Sequence, residues 1–187
     1  MKAIFSIIVT FILSIVSAQA ATVSFSPTSN TVTAGQPFSM NIMGSFLPGE
    51  TIEGGGLNLS FSPSVLSVSN VSINTALFDF YSLPGTVNNA AGTISGMVFN
   101  TFAGASGNFL IATVDFKALG TGSTNLLLSE SSLNPFSSAS AGRSLSVTYQ
   151  PASIVVAAVP LPAAIWLLLS GMGLMGLGWR NKNQISS

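Results

Sequence analysis

Residues 107–129 read "GNFLIATVDFKALGTGSTNLLLS", and this stretch decides the fold class. Apolar and polar side chains alternate in its first half, which places on one face Leu110, Ala112, Val114 and Phe116. Alternation with a period of two residues is typical of a β-strand with one buried face. A glycine-rich turn then leads into a second apolar run. The stretch therefore predicts two β-strands joined by a short turn.

Segments of the same kind recur along the chain, at residues 21–27, 38–46, 56–61, 65–73, 92–99, 144–149 and 152–156. Turn residues separate them, and no stripe of apolar side chains at helical spacing lies between them. About nine short strands of this kind predict an all-β fold, an antiparallel β-sandwich of jelly-roll or immunoglobulin-like type. The segment 65–73 changes its apolar register midway, which predicts a β-bulge or a crossing between sheets.

The first twenty residues have the order of a secretory signal peptide. Lys2 precedes an uncharged apolar run at 3–16, and small residues follow in an A-x-A arrangement at Ala18 and Ala20. The apolar run forms a signal helix that is too short to be a membrane span. We therefore expect the secretion machinery to export the chain, with cleavage after Ala20 and a mature domain over residues 21–157.

This domain carries little charge, and its five acidic and two basic residues give a formal charge of −3. The charged residues are Glu50, Glu53, Asp79, Asp115, Lys117, Glu130 and Arg143. We exclude nucleic acid as a partner because nothing in the domain attracts a phosphate backbone. The chain has no cysteine and no histidine, which excludes a Ser-His-Asp triad and the common zinc sites. No acidic residues have calcium-ligand spacing, so we expect neither a metal nor a cofactor. An ion bound by loop carbonyls and one carboxylate is the alternative that stays open.

The stretch "ALFDFYSLPG" at 76–85 is the densest aromatic run of the domain. Alternation places Phe78 and Phe80 together on the core side, with Asp79 and Tyr81 outward. An exposed aromatic ring can cover the apolar face of a pyranose, which makes Tyr81 a candidate ligand contact. Packing in the core or at the edge of a sheet is the alternative.

Glu50 and Glu53 form the closest pair of carboxylates, in "PGETIEGGG" at 48–56. A glycosidase needs two carboxylates in distinct roles, but no aromatic cluster surrounds this pair in the sequence. We favour a solvated loop that leads into a strand, and we predict that the protein is not an enzyme. The three glycines at 54–56 indicate a bulge or the close approach of a neighbouring backbone.

The C-terminal stretch "VPLPAAIWLLLSGMGLMGLGWRNK" at 159–182 combines prolines, an apolar run and a basic tail. The prolines keep the first part extended. Residues 163–179 are uncharged and would form a helix of about 25 Å, at the lower limit for crossing a bilayer. The positive-inside rule keeps Arg180 and Lys182 cytoplasmic. We therefore predict a transmembrane helix over 163–179, with the sandwich on the outer side.

Three stretches together resemble a cohesin domain: "TVSFSPTSNTVTAGQPFSMNI" at 22–42, "GGGLNLSFSPSVLSV" at 54–68 and the opening stretch at 107–129. The resemblance covers about 22–157 and implies a jelly-roll sandwich of about nine strands, similar to carbohydrate-binding modules. It also implies a dockerin-like module as partner, or a role as a surface or matrix component. Each stretch records turns and core positions, and none is a binding motif.

The C-terminal stretch, within residues 158–187, resembles the PEP-CTERM sorting signal of exosortase substrates, in a variant with Val-Pro-Leu-Pro-Ala in place of Pro-Glu-Pro. The motif residues are Val159, Pro160, Leu161, Pro162 and Ala163. The resemblance implies that the helix holds the exported protein transiently in the inner membrane. An exosortase would then cleave near the motif, and the domain would reach the cell surface or the extracellular matrix.

The sequence thus predicts an exported, non-enzymatic surface or matrix protein that binds a dockerin-like module or a polysaccharide. Two alternatives stay open. The domain could be a carbohydrate-binding module of an exopolysaccharide matrix, or the chain could be a surface protein held by a simple single-span anchor.

Overall fold

The structure is a computed structural model that describes residues 21–47, 49–138 and 143–160. Nine strands of five residues or more lie in this part: β1 (Ala21–Ser26), β2 (Ser29–Thr33), β3 (Pro37–Ser45), β4 (Ile52–Ser60), β5 (Leu66–Ile73), β8 (Thr93–Ala105), β9 (Asn108–Ala118), β10 (Gly122–Glu130) and β14 (Ala152–Ala157). Five segments of two or three residues complete the set: β6 (Tyr81–Leu83), β7 (Thr86–Asn88), β11 (Ser137–Ser138), β12 (Arg143–Ser144) and β13 (Val147–Tyr149).

Two sheets form the sandwich. The first sheet has five strands in the order β13-β1-β3-β9-β5. The second sheet has nine strands. Six of them follow the order β12-β11-β4-β10-β14-β2. The other three lie on the opposite edge of β4, where β8 pairs with β4, and β6 and β7 pair with β8. Most neighbours are antiparallel, but β1 pairs with β13 and β14 pairs with β2 in parallel. The prediction of an all-β sandwich with about nine principal strands is confirmed.

The core consists of the inward side chains of both sheets, as period-two alternation requires. Its largest fully buried residues include Phe25, Met40, Phe78, Phe99, Phe116 and Phe136. Aromatic rings pack edge to face within it, for example Phe78 against Phe99 with ring centroids 4.9 Å apart. Such contacts add to the burial of apolar area, which is the main source of stability for the fold.

The predicted irregularity in the segment 65–73 is a register shift of β5 against β9 between Val68 and Asn70. At this shift, the side chain of Asn89 forms hydrogen bonds with the backbone of Val68. Its Oδ1 accepts a hydrogen bond from the Val68 amide at 2.7 Å, and its Nδ2 donates to the Val68 carbonyl at 2.9 Å. The bulge is therefore held by a residue from a different part of the sandwich.

The glycines at 54–56 fit the predicted bulge and close approach. β4 shifts register against β8 between Ile52 and Gly54. A Cβ placed on Gly55 would lie 2.9 Å from Cγ of Phe136, whose ring is fully buried. The close neighbour at this position is an aromatic side chain rather than a backbone segment.

Two predicted side-chain directions are wrong. β9 shifts register against β3 between Ile42 and Met43, so that Ile111 lies in the core in place of Leu110. Phe80 is 58% exposed, whereas Phe78 is buried as predicted. The chain between them leaves the core, because Phe80 directly precedes the short strand β6 on the edge of β8.

No helix in the described ranges is long and apolar enough to cross a membrane. The predicted signal segment at 1–20 and the predicted transmembrane helix at 163–179 lie outside those ranges. The chain divides into two compact units, of which the first ends at Ala157 and the second begins at Ala158.

Candidate binding face and sorting segment

The outer face of the first sheet is polar, and several of its side chains are hydrogen-bonded to one another. The Ser39 hydroxyl donates to Oδ1 of Asp115 at 2.6 Å, and Nδ2 of Asn70 donates to Oδ2 of the same carboxylate at 3.1 Å. These two bonds, from Ser39 first and Asn70 second, lower the pKa of Asp115 because they favour its ionised form. The Thr113 hydroxyl also donates to Asn41, at 2.9 Å.

The second sheet carries exposed apolar side chains instead. Among the described residues, every exposed large hydrophobic that lies inside a strand belongs to this sheet: Tyr81, Leu83, Val87, Phe102, Leu127 and Val155. Leu127 is 50% exposed at the centre of β10 and is paired with Ser60 of β4. We define the apolar face as Tyr81, Leu83, Leu127 and Val155. A contrast of this kind between two sheet faces is typical of a docking surface.

A groove of about 300 Å³ opens at the end of the second sheet where β4, β8 and β11 meet. It is lined by Glu53, Phe80, Asn100, Thr101, Phe102 and Ser137. The rings of Phe80 and Phe102 lie 4.2 Å apart between centroids and are tilted by 51°. Both are exposed, Phe102 to 78%. The groove therefore combines two open aromatic rings with polar side chains.

Tyr81, the candidate ligand contact, is 51% exposed in β6 and is paired with Asn100 of β8, next to this groove. Its outward direction agrees with the alternation of the sequence. Phe102 is not among the predicted site residues, because the strand predicted from the sequence ends at residue 99 and does not include it. β8 continues to Ala105, and counting alternation from the buried Phe99 would have placed Phe102 outward.

The two neighbouring carboxylates have different surroundings. Glu50 lies in a turn in which its backbone amide donates to the Leu47 carbonyl at 3.0 Å. Glu53 lies in β4 and its side chain is exposed. The part of the chain that the structure describes holds no group of three or more acidic, cysteine or histidine residues that could bind a metal ion.

In the part of the chain that the structure describes, two hydroxyls are buried without a hydrogen-bond partner, those of Thr101 and Tyr149. Burial raises the pKa of Tyr149 far above its usual value, and the nearby charge of Glu130 raises it further. Oε1 of Glu130 accepts a hydrogen bond from the Phe136 amide at 3.0 Å. Tyr149 packs on the Phe136 ring at 6.5 Å, so its role is structural.

The beginning of the sorting motif is accessible. β14 ends at Ala157, and Val159 is 61% exposed. Pro160 is also exposed, and neither residue lies in a strand. The other motif residues, Leu161, Pro162 and Ala163, lie outside the described ranges.

The sandwich has the fold of a cohesin domain, as solved structures show. The third cohesin of ScaC from Acetivibrio cellulolyticus, in complex with the ScaB dockerin, is 20% identical with a TM-score of 0.56, and the match covers 73% of this chain and 98% of that one. The Coh-OlpC-Doc435 complex from Clostridium thermocellum, a type I cohesin–dockerin complex, is 11% identical with a TM-score of 0.60, covering 75% and 94%. A non-cellulosomal cohesin from the archaeon Archaeoglobus fulgidus is 19% identical with a TM-score of 0.56, covering 78% and 96%.

At these identities the likeness to solved structures shows the fold alone. Residues 158–182 match the PEP-CTERM protein-sorting motif, an independent finding for the C-terminal stretch. The two resemblances predicted from the sequence, a cohesin domain and a PEP-CTERM signal, are therefore confirmed. No curated protein matches the chain.

Proposed function

We propose that this protein is an exported, non-catalytic component of the cell surface or extracellular matrix, sorted by an exosortase, whose cohesin-like domain binds a dockerin-like protein module. The observation that carries the proposal is the combination of a cohesin fold with a sorting motif directly after its last strand. Solved cohesins of this fold are found in complex with dockerins.

Both proposed cleavage sites leave the sandwich intact. Removal of the signal peptide after Ala20, with Ala18 and Ala20 as the small residues that the signal peptidase reads, would leave β1 complete from Ala21. Exosortase cleavage near Val159 would spare β14, which ends at Ala157. We therefore take 21–157 as the mature domain and 158–187 as the sorting signal.

The domain would reach the surface by way of the inner membrane. The C-terminal helix at 163–179 would hold the chain there until an exosortase acts on the motif. The described start of the motif is exposed and lies outside any strand, which supports its access to an enzyme. Retention of the helix in the final product would make the chain a simple anchored surface protein.

Intact mass spectrometry of the protein from its native host tests the sorting proposal. We expect the mass of a chain that begins at residue 21 and ends between 159 and 163, with or without an added group. A variant with Pro160 and Pro162 both changed to alanine should keep the C-terminal segment, because the extended motif would be lost. A native product that still carries residues 163–187 would contradict the proposal.

The partner would dock on the apolar face of the second sheet, where exposed hydrophobic side chains are concentrated. Burial of Leu127 and Tyr81 would remove apolar area from water on binding, whereas the polar side chains of the first sheet already bond to one another. A lysine at the centre of this face would place a charge in the interface, which weakens binding strongly.

Capture of partners from the host's secreted fraction, with the full chain as bait, tests this docking. We expect a captured protein that carries a dockerin module, and we expect Leu127→Lys to lose it. Ser72→Lys, an exposed position on the outer side of the first sheet, is the matched control and should retain it. Equal binding by the two variants would refute the proposed face, and captured partners that lack such a module would refute the proposed partner.

A further inference from the structure

We propose that the groove lined by Phe80, Phe102, Glu53, Asn100 and Ser137 binds a sugar ring of a polysaccharide that has no acidic groups. This goes beyond the proposed docking of a protein module. It assigns a ligand class to a different set of side chains, at the end of the sheet and apart from Leu127.

The aromatic pair supplies the apolar half of such a site. Phe80 and Phe102 come from different elements, one just before β6 and the other within β8, and both rings are open to solvent. A single exposed ring needs no explanation, but two rings in contact form a larger apolar surface than either alone, and such patches mark binding sites. The tilt of 51° between the two rings makes this surface angled rather than flat. A pyranose presents apolar C–H groups on its ring face, and such a surface can cover them.

Polar side chains with free hydrogen-bonding capacity border the rings. Within the described ranges, the side chains of Glu53, Asn100 and Ser137 have no hydrogen-bond partner, although other polar side chains of the domain bond to one another. Together they offer a carboxylate acceptor, an amide with donor and acceptor, and a hydroxyl. These groups match the mixed donor and acceptor pattern of sugar hydroxyls.

The glycine at position 54 of β4 leaves space for the side chain of Asn100. A Cβ on Gly54 would collide with Oδ1 and Cγ of Asn100, so that the carboxamide lies directly against the backbone only because residue 54 is glycine. Asn100 is held between β4 and β6, since it pairs with Gly54 on one side and Tyr81 on the other. Because the backbone of Asn100 is already fixed by these pairings, only its side chain has to be ordered on binding.

Size and charge select the ligand class. About 300 Å³ is the lower end of the range for ligand pockets and suits one or two sugar rings rather than a folded module. Among the charged side chains that the structure describes, the one lining the groove is Glu53. Its carboxylate would repel a uronic acid, so neutral sugars and amino sugars are preferred.

Titration calorimetry with the full chain, in a detergent without a sugar head group, tests the proposal. The probes are cellohexaose, chitohexaose and hexagalacturonic acid. We expect millimolar or tighter binding of at least one of the first two and weaker binding of the third. The double variant Phe80→Ala/Phe102→Ala should lose at least about tenfold in affinity, which corresponds to ~1.4 kcal/mol. Glu53→Gln should reduce the discrimination against the acidic probe.

Leu133→Ala is the matched control, because this loop leucine is 87% exposed and does not line the groove. It should bind the probes as the unchanged chain does. Unchanged thermal unfolding of the double variant shows that the sandwich is intact, as expected for two exposed rings. Three results would overturn the proposal: no binding of any probe, equal loss in the control, or preference for the acidic probe. Capture of a dockerin-bearing partner, measured on the same variants, reports separately on the proposed function.

Discussion

Replacement of Gly55 by alanine should destabilise the sandwich although the backbone at this position accepts a side chain. The added methyl group would point at the ring of Phe136, with three ring atoms between 2.9 and 3.0 Å from the new Cβ. Ordinary contacts begin at 3.4 Å, so that the ring would have to retreat by about 0.5 Å.

The surroundings of Phe136 decide whether the ring can move. It is fully buried and contacts Phe46, Phe99 and Tyr149, with centroid distances of 5.9, 5.5 and 6.5 Å. Overpacking of a core in which every direction is occupied costs roughly 1–3 kcal/mol. Loss of glycine's freedom in the unfolded chain offsets about 0.4–1 kcal/mol of this. We therefore expect a net loss of about 1–2 kcal/mol in the free energy of unfolding.

Urea unfolding of the full chain, followed by far-ultraviolet circular dichroism, measures this loss. A double-mutant cycle with Phe136→Leu identifies its cause, because the smaller side chain leaves room for the methyl group. The double variant Gly55→Ala/Phe136→Leu should be more stable than the sum of the single effects predicts, by at least about 0.5 kcal/mol. A Gly55→Ala variant as stable as the original chain, or additive effects in the cycle, would refute the argument.

Four further substitutions test separate contacts. Thr101→Val and Tyr149→Phe each remove a buried hydroxyl that has no partner, so each variant should equal the original in stability or exceed it by up to about 1 kcal/mol in thermal unfolding. A clear loss of stability in either variant would mean that the removed hydroxyl has a hydrogen-bond partner. Asn89→Ala removes both hydrogen bonds to the Val68 backbone and should lower the free energy of unfolding in urea by about 1–2 kcal/mol. An unchanged free energy of unfolding would contradict the role of these bonds at the bulge. Asp115→Asn should cost less than about 1 kcal/mol at neutral pH, because this site faces solvent. Since the pKa of Asp115 is lowered in the folded state, its stabilisation is present above the unfolded pKa, near 4, and is lost as the pH falls through the folded pKa. The two chains should therefore converge in stability as the pH falls below the folded pKa, and a constant gap between them would contradict this.

Alternation predicted the sheet faces wherever a strand keeps one register. In the predicted segments 56–61 and 38–46, the alternating residues Leu57 and Leu59 of β4 and Met40 and Ile42 of β3 are all buried. The pattern works because adjacent side chains of a strand must point to opposite faces. It failed at Leu110, because the register shift there depends on how β9 meets β3, and no residue within β9 itself signals that shift.

The aromatic groove could not be predicted from the sequence for a different reason. Apolar character favours burial but does not guarantee it, and both Phe80 and Phe102 are exposed. The two residues are far apart in the chain and meet only because β6 pairs with β8. Glu53 and Ser137 join them through β4 and β11, pairings that no local pattern specifies. Sequence reasoning found the neighbouring Tyr81 but not the site beside it.

The two parallel pairings join the beginning of the sandwich to its end. β1 pairs with β13 and β2 pairs with β14, so that residues 21–23 and 29–33 find these partners only among residues 147–157. A chain that crosses a membrane from its N-terminus would thus stay open until almost its whole length had passed. Long-range closure of this kind is slow, so that an exported chain would remain unfolded during its passage. The last strand to arrive is also the one that directly precedes the sorting motif. The sandwich would then be completed by β14 just before the sorting motif that follows this strand becomes available to an exosortase.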